Sequence, residues 1–328
     1  MDLSHREKIL GVLCCVLLFL VLLSNKPLFY SAMNNRFQGK LKNQSSDELT
    51  SALASASMPN KTVIITMVNA AWMESGGMFD LFMKSFEVGE GTRPLLNNLL
   101  VVAHDEKAFN ACTQIHPHCY RLKTAGVDFS GESFFMSEDY LKMTRSKILF
   151  LTNVLQKGYS FLFSDSDILW FRNPFERFSR DTDFQMSCDR YSGNPLDMRN
   201  QENTGFMLVR SNNRTIQMMQ VWHNSTLMRP HMHDQDVWNA IKLSRSISKI
   251  GLSARFVDTK YFSGFCQCSR DLSVVYTMHA NCCRGLKAKI HDLKEAFEDW
   301  TSFQSSGLNR TSVHWRAREE CRRSWFKK

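Results

Sequence analysis

The sequence predicts an α/β fold, one domain with a mostly parallel central sheet flanked by helices. Short apolar runs of strand length alternate with longer segments of helical period, the order expected of a layered α/β protein. Asn69, His104 and Asp165 each follow such a run. In parallel sheets the crevice beyond the carboxyl ends of the strands binds ligands, so these three are expected to converge.

Thr62-Val-Ile-Ile-Thr-Met-Val68 is the first buried-strand pattern, and Gly77 to Val88 then reads as a helix. Asn98 to Ala103 is the second strand, ending in His104-Asp105. Ser137 to Lys157 is helical, because Tyr140, Met143, Ile148, Leu151 and Leu155 share a face, and Gly158 stops it. The strand to Ser164 follows. Asp183 to Cys188, Phe206 to Val209, Ala254 to Val257 and Val274 to Met278 are further strands. Helices are expected over Arg214 to Leu227, Asp234 to Leu243 and Ile290 to Phe303.

The N-terminus sets the topology. Residues 1–8 form a short tail carrying Arg6 and Lys8, and Ile9 to Leu23 is an apolar run. Pro27-Leu-Phe-Tyr30 extends it, and no small-x-small cleavage site follows directly, so 9–30 is expected to be an uncleaved type II membrane anchor. The run is short for a span, but thin early-secretory membranes tolerate that. Residues 31–60, rich in Ser, Asn, Gln and Lys, are expected to be a flexible stem, with the body over 61–328. Sequons at Asn43, Asn60, Asn213, Asn224 and Asn309 are consistent with a luminal, glycosylated body.

The chain of 328 residues is 43% hydrophobic, enough for a sizeable core. Its net charge of +9 is scattered, and the basic C-terminal clusters read as a solvated tail, so no nucleic-acid partner is expected. No G-x-G-x-x-G or Walker motif is present, which argues against a dinucleotide enzyme or a P-loop NTPase. Beyond Cys14 and Cys15 stand Cys112, Cys119, Cys188, Cys266, Cys268, Cys282, Cys283 and Cys321. An even luminal count permits disulfides, with Cys112–Cys119 the simplest local pair. The spacing of Cys266, Cys268, Cys282 and Cys283 fits no common zinc module.

The most informative stretch is Gly158-Tyr-Ser-Phe-Leu-Phe-Ser-Asp165-Ser-Asp167-Ile-Leu-Trp-Phe-Arg-Asn-Pro174. Two carboxylates at the end of a buried strand are costly unless a cation compensates them. Hard oxygen ligands suit Mn²⁺ or Mg²⁺, which commonly carry a phosphate-bearing substrate. Asp167 is the expected metal ligand, with Asp165 beside it as a direct or water-mediated partner. Arg145 and Lys147, on the helix before this strand, Thr66 and Asn69, at the first strand end, and Asn203 and Gly205 are candidates for contacts to such a substrate.

Phe163-Ser-Asp-Ser-Asp-Ile-Leu-Trp-Phe-Arg-Asn-Pro-Phe175, Asn203-Thr-Gly205, His233-Asp-Gln-Asp-Val-Trp-Asn239 and Met278-His-Ala-Asn-Cys-Cys-Arg-Gly-Leu286 occur in that order. Together they resemble the plant nucleotide-diphospho-sugar transferases, glycosyltransferase family 77, over about Val63 to about Trp300. Ser166 stands where Val or Thr is expected and Trp238 where Phe or Tyr is common; neither change removes a metal-binding oxygen. The resemblance implies a GT-A fold, a retaining mechanism, Mn²⁺ and a single-pass Golgi membrane protein with a luminal catalytic domain. It implies a UDP-sugar donor, a pentose from UDP-xylose or UDP-arabinose, with UDP-galactose as alternative. The implied acceptor is a wall polysaccharide or glycoprotein. His279 matches the histidine that completes the metal shell, and Asp234 and Asp236 the segment facing the transferred sugar. The contrasting expectation is a silent family member acting as a Golgi scaffold or binding subunit. Oligomeric state is left open by the sequence.

Overall fold

The computed structural model describes residues 47–123, 131, 135–306 and 313–326. The chain divides into two units, Met1–Ser51 and Ala52–Lys328. In the first, residues 47–51 are helical. The second opens with helical residues 52–56, where Leu53 and Ala56 are buried, so this part of the expected stem is ordered and packed. The expected anchor over 9–30, and the sequons at Asn43 and Asn309, lie outside the described residues. Among the described residues no helix is long and apolar enough to cross a membrane. Asn60, Asn213 and Asn224 are exposed.

The strands are β1 (Thr62–Val68), β2 (Leu99–Ala103), β3 (Cys119–Arg121), β4 (Ser160–Ser164), β5 (Ile168–Trp170), β6 (Phe184–Arg190), β7 (Gln201–Val209), β8 (Ala254–Phe256), β9 (Phe262–Gly264) and β10 (Thr277–His279). The helices are α1 (Met78–Val88), α2 (Glu106–Ile115), α3 (Glu138–Gln156), α4 (Asn213–Met228), α5 (Asp234–Ile241), α6 (Arg245–Ser248), α7 (Leu286–Ser305) and α8 (Glu319–Ser324). A seven-stranded sheet runs in the order β3-β2-β1-β4-β7-β6-β8. Only β7 opposes its neighbours, so the expected mostly parallel sheet is observed. β1 is buried on both faces, which is why its sequence is apolar throughout rather than alternating. At the end of α3, Gly158 adopts φ 80°, the left-handed conformation that ends a helix without a Cβ penalty.

The sequence reading missed a second, three-stranded sheet in the order β5-β10-β9. It also extended the last strand too far toward its N-terminus, since β10 starts only at Thr277. Each of the three strands is three residues long, too short for any periodicity to register. They hold together by covering their own core, in which Phe171 stacks on Trp300 at 4.7 Å beside Leu169, Met278 and Leu293.

Cys112–Cys119 pair as expected, and Cys266–Cys282 and Cys283–Cys321 pair as well. Zinc is thereby removed as a use for Cys266, Cys282 and Cys283. The last two bridges close loops worth about 3–4 kcal/mol each in unfolded-chain entropy. Both flank the turn that follows β10.

Candidate active site

Parallel pairing of β2, β1 and β4 brings their carboxyl ends side by side. Asn69, His104 and Asp165 accordingly line one crevice, together with Trp72, Tyr140 and Lys147. The crevice continues past Asp167 and Lys289 to Asp189, Asn203, Gly205, Asp234, Gln235 and His279.

Strand register builds the acidic centre. β4 ends at Ser164, and the amide of Asp165 donates to the Gly205 carbonyl of β7 at 2.7 Å. β5 begins at Ile168, paired opposite His279 of β10. The Ala280 amide donates to the Asp167 carbonyl at 3.0 Å, which locks the two segments together. His279 Nε2 therefore lies 3.2 Å from Asp167 Oδ1. One ligand atom each from Asp165, Asp167 and His279 lies within 4.8 Å of the others. Asp167 Oδ1 is buried and has no hydrogen-bond partner of acceptable geometry. Two carboxylates and an imidazole around an unsatisfied oxygen form a donor set that a Mn²⁺-type ion fits.

Two lysines flank this centre. Lys289 of α7 places Nζ 2.6 Å from Asp167 Oδ2, and Lys147 of α3 places Nζ 2.6 Å from Asp234 Oδ2. Burial opposes the charge of Asp167, but Lys289 and His279 outweigh it and hold the carboxyl well below the usual range. Burial pushes Asp165 up, against the pull of Lys147 and with the repulsion of Asp167. Lys147 stays charged: burial lowers its pKa, but Asp234 and Asp165 raise it further.

The sequence pattern of the nucleotide-diphospho-sugar transferases matches residues 94–293. An uncharacterized protein of Arabidopsis thaliana is 46% identical over 282 residues, 85% of this chain and 75% of that one. The chain belongs to the nucleotide-diphospho-sugar transferase family. An arabinosyltransferase of Arabidopsis thaliana is 28% identical over 136 residues, 41% of this chain and 29% of its own. A UDP-D-xylose:L-fucose α-1,3-D-xylosyltransferase of the same plant is 22% identical over 137 residues, 42% of this chain and 34% of its own. The protein is thus a glycosyltransferase.

In this transferase most of the expected residues meet in the crevice: Asn69, Lys147, Asp165, Asp167, Asn203, Gly205, Asp234 and His279. Three stand apart from it. Thr66 is fully buried inside β1, two residues short of the strand's open end at Val68. Arg145 donates to the Pro230 carbonyl at 2.9 Å, away from the crevice. The side chain of Asp236 is 49% exposed and lies 3.5 Å from His233 Nε2. Arg145 and Asp236 lie apart for one reason. Each is two residues from its partner on a helix, about 200° around the axis, so only Lys147 and Asp234 face inward.

Residues that the sequence reading passed over complete the site. Lys289 falls just before the helix expected over Ile290 to Phe303, and α7 in fact begins at Leu286. Asp189 is the penultimate residue of β6 and has no local motif around it. Gly205, which the sequence did single out, is needed for space: a Cβ there would meet Asp165 Oδ2 at 2.5 Å, His279 Cε1 at 2.7 Å and Asn203 Oδ1 at 2.9 Å.

His104 is neutral at neutral pH, its pKa lowered to about 4 by burial and by the nearby Lys147. The unfolded chain takes up that proton near pH 6.5, the folded one only near 4. Stability is therefore expected to fall as pH drops through this window, by up to about 3 kcal/mol. In His104→Gln the urea midpoint should fall less between about pH 7.5 and about pH 5 than in the wild type. An unchanged drop would mean that His104 is protonated in the folded protein.

Proposed function

We propose that the protein transfers a pentose from a UDP-sugar, with retention of configuration, to a wall polysaccharide or glycoprotein in the Golgi lumen. The reading rests on one observation, the Asp165–Asp167–His279 cluster set between Lys147 and Lys289 in a chain of this family. The pentose is supported by the names of the arabinosyl and xylosyl relatives. The luminal type II placement is supported by the apolar run over 9–23 and by exposed sequons.

Asp165, Asp167 and His279 would hold a divalent ion, and Mn²⁺ would fit their mixed oxygen and nitrogen donors. When bound, the ion supplies charge neutralisation to the departing diphosphate. Lys147 and Lys289 add two ammonium groups to the same diphosphate, and both are already held in place by carboxylates. Asn69 and Trp72 border the uridine end of the crevice. Asp234 faces the anomeric carbon, and its negative charge stabilises the positive charge that builds there as the bond breaks. Neutral His104 and un-ionised Tyr140, whose pKa burial raises, leave the balance of charge to the lysines and carboxylates.

The test is UDP release by the purified full chain from a panel of UDP-sugars with Mn²⁺. Release from a UDP-pentose that stops on chelation is expected, along with a loss of mass on endoglycosidase treatment. A folded protein that binds UDP but releases none from any donor, with acceptor glycans supplied, would favour the silent-member reading instead.

A further inference from the structure

Asp189 gathers three amide side chains from three separate parts of the chain. Its Oδ1 accepts from Asn203 Nδ2 at 2.9 Å and from Asn281 Nδ2 at 2.8 Å. Its Oδ2 accepts from Gln235 Nε2 at 2.9 Å. Backbone amides fix the other end of each group: Gly205 N donates to Asn203 Oδ1, Thr204 N to Gln235 Oε1 and Cys266 N to Asn281 Oδ1. With its oxygen committed to a backbone N–H, each amide must turn its NH₂ toward Asp189. Among the described residues none of the three NH₂ groups has an acceptor for its second hydrogen, and no cation pairs with Asp189. All four residues line the crevice.

We propose that Asp189 is a positioning residue that decides which sugar this transferase accepts. It holds Asn203, Gln235 and Asn281 as a rigid floor. Their second N–H groups and the remaining lone pair of Oδ2 bind the hydroxyls of the transferred sugar. A carboxylate offers about four lone-pair sites, and three are used by the amides. The floor thus presents one acceptor and three donors in fixed places, a pattern suited to neighbouring hydroxyls. A sugar with one hydroxyl inverted leaves a buried donor unpaired, which is how such sites reject close analogues. The same carboxylate ties the floor to the reacting groups. Asn203 is two residues from Gly205, Gln235 adjoins Asp234, and Asn281 is two residues from His279.

This inference rests on the UDP-sugar reading, and the test separates the two. Affinities of the full chain for UDP, UDP-xylose, UDP-arabinose, UDP-galactose and UDP-glucose are measured with Mn²⁺ by calorimetry. Asp189→Asn places an NH₂ among three NH₂ groups, so at least one donor then faces another donor. The wild type is expected to separate the sugars by about tenfold or more, and Asp189→Asn to compress that spread to about threefold. UDP affinity should stay within about twofold, because the nucleotide end of the crevice is untouched. A purely structural Asp189 would weaken UDP and UDP-sugars in step. Should Asp189→Asn fail to fold, Asn281→Ala removes one amide and should lose part of the spread with UDP affinity kept. An unchanged spread, or a parallel loss of UDP affinity, overturns the proposal. A wild type that binds no UDP overturns the UDP-sugar reading itself.

Discussion

Asp167→Asn is expected to cut UDP release about a hundredfold or more, the scale of losing one group that stabilises developing charge. It should also cost stability, because Asp167 is 2% exposed and is the carboxylate partner of the Lys289 ammonium. Removing one member of a buried pair leaves the other uncompensated. Asparagine still accepts one hydrogen bond from Lys289, so about 1–3 kcal/mol is expected rather than the full cost. Adding Lys289→Met removes the stranded ammonium and should restore the denaturation midpoint while leaving release low. Because Lys289 also serves the diphosphate in this reading, the double variant tests only the buried pair, and release by Asp167→Asn alone tests the carboxylate. Release near the wild-type rate in Asp167→Asn would sink the assignment of the acidic centre.

The acidic centre was legible in the sequence because buried parallel strands are written as continuous apolar runs. β1, β2 and β4 announce themselves this way, and their carboxyl ends follow from the fold class. Asp165 and Asp167 stand two apart, yet both enter the crevice, since they lie in the turn between β4 and β5 and no single periodicity governs them. The same spacing on a helix has the opposite consequence. Lys147 turns in and Arg145 out, Asp234 turns in and Asp236 out, although the sequence offered both members of each pair. The outward placement could have been anticipated from phase alone, since Lys147 shares the inward face of α3 with Leu151 and Thr144.

Asp189 and Lys289 lie beyond such reasoning. Asp189 acquires its role only when β7, α5 and the turn after β10 bring Asn203, Gln235 and Asn281 to it. Lys289 reaches Asp167 across 122 positions of sequence. Neither partner set has a spacing that recurs along the chain. The second sheet was hidden for a related reason. Its strands are defined by what they pair with, β5 by β10 and β10 by β9, and not by a pattern of their own.

Gly205→Ala adds a single carbon and is expected to weaken Mn²⁺ binding in the presence of UDP by about 10–100-fold, the effect seen when the support of metal ligands is disturbed. The added Cβ would meet Asp165, His279 and Asn203 at once. None of these can retreat freely. Asp165 is hydrogen bonded through its backbone to the Gly205 carbonyl, His279 is paired in β10 between β5 and β9, and Asn203 is bound to Asp189. The relief must come from separating Asp165 from His279, the two groups whose approach makes the ion site. Crowding of this kind costs about 1–3 kcal/mol, so the fold should persist and the loss should appear in metal affinity. Titration of Mn²⁺ followed by electron paramagnetic resonance, with UDP present, reads that loss directly. Wild-type Mn²⁺ affinity in a folded Gly205→Ala variant would mean that the ion is held elsewhere. A methyl group placed at the centre of the cluster is therefore a sharper probe than deleting a ligand, since it leaves every donor atom and every charge of the site in place.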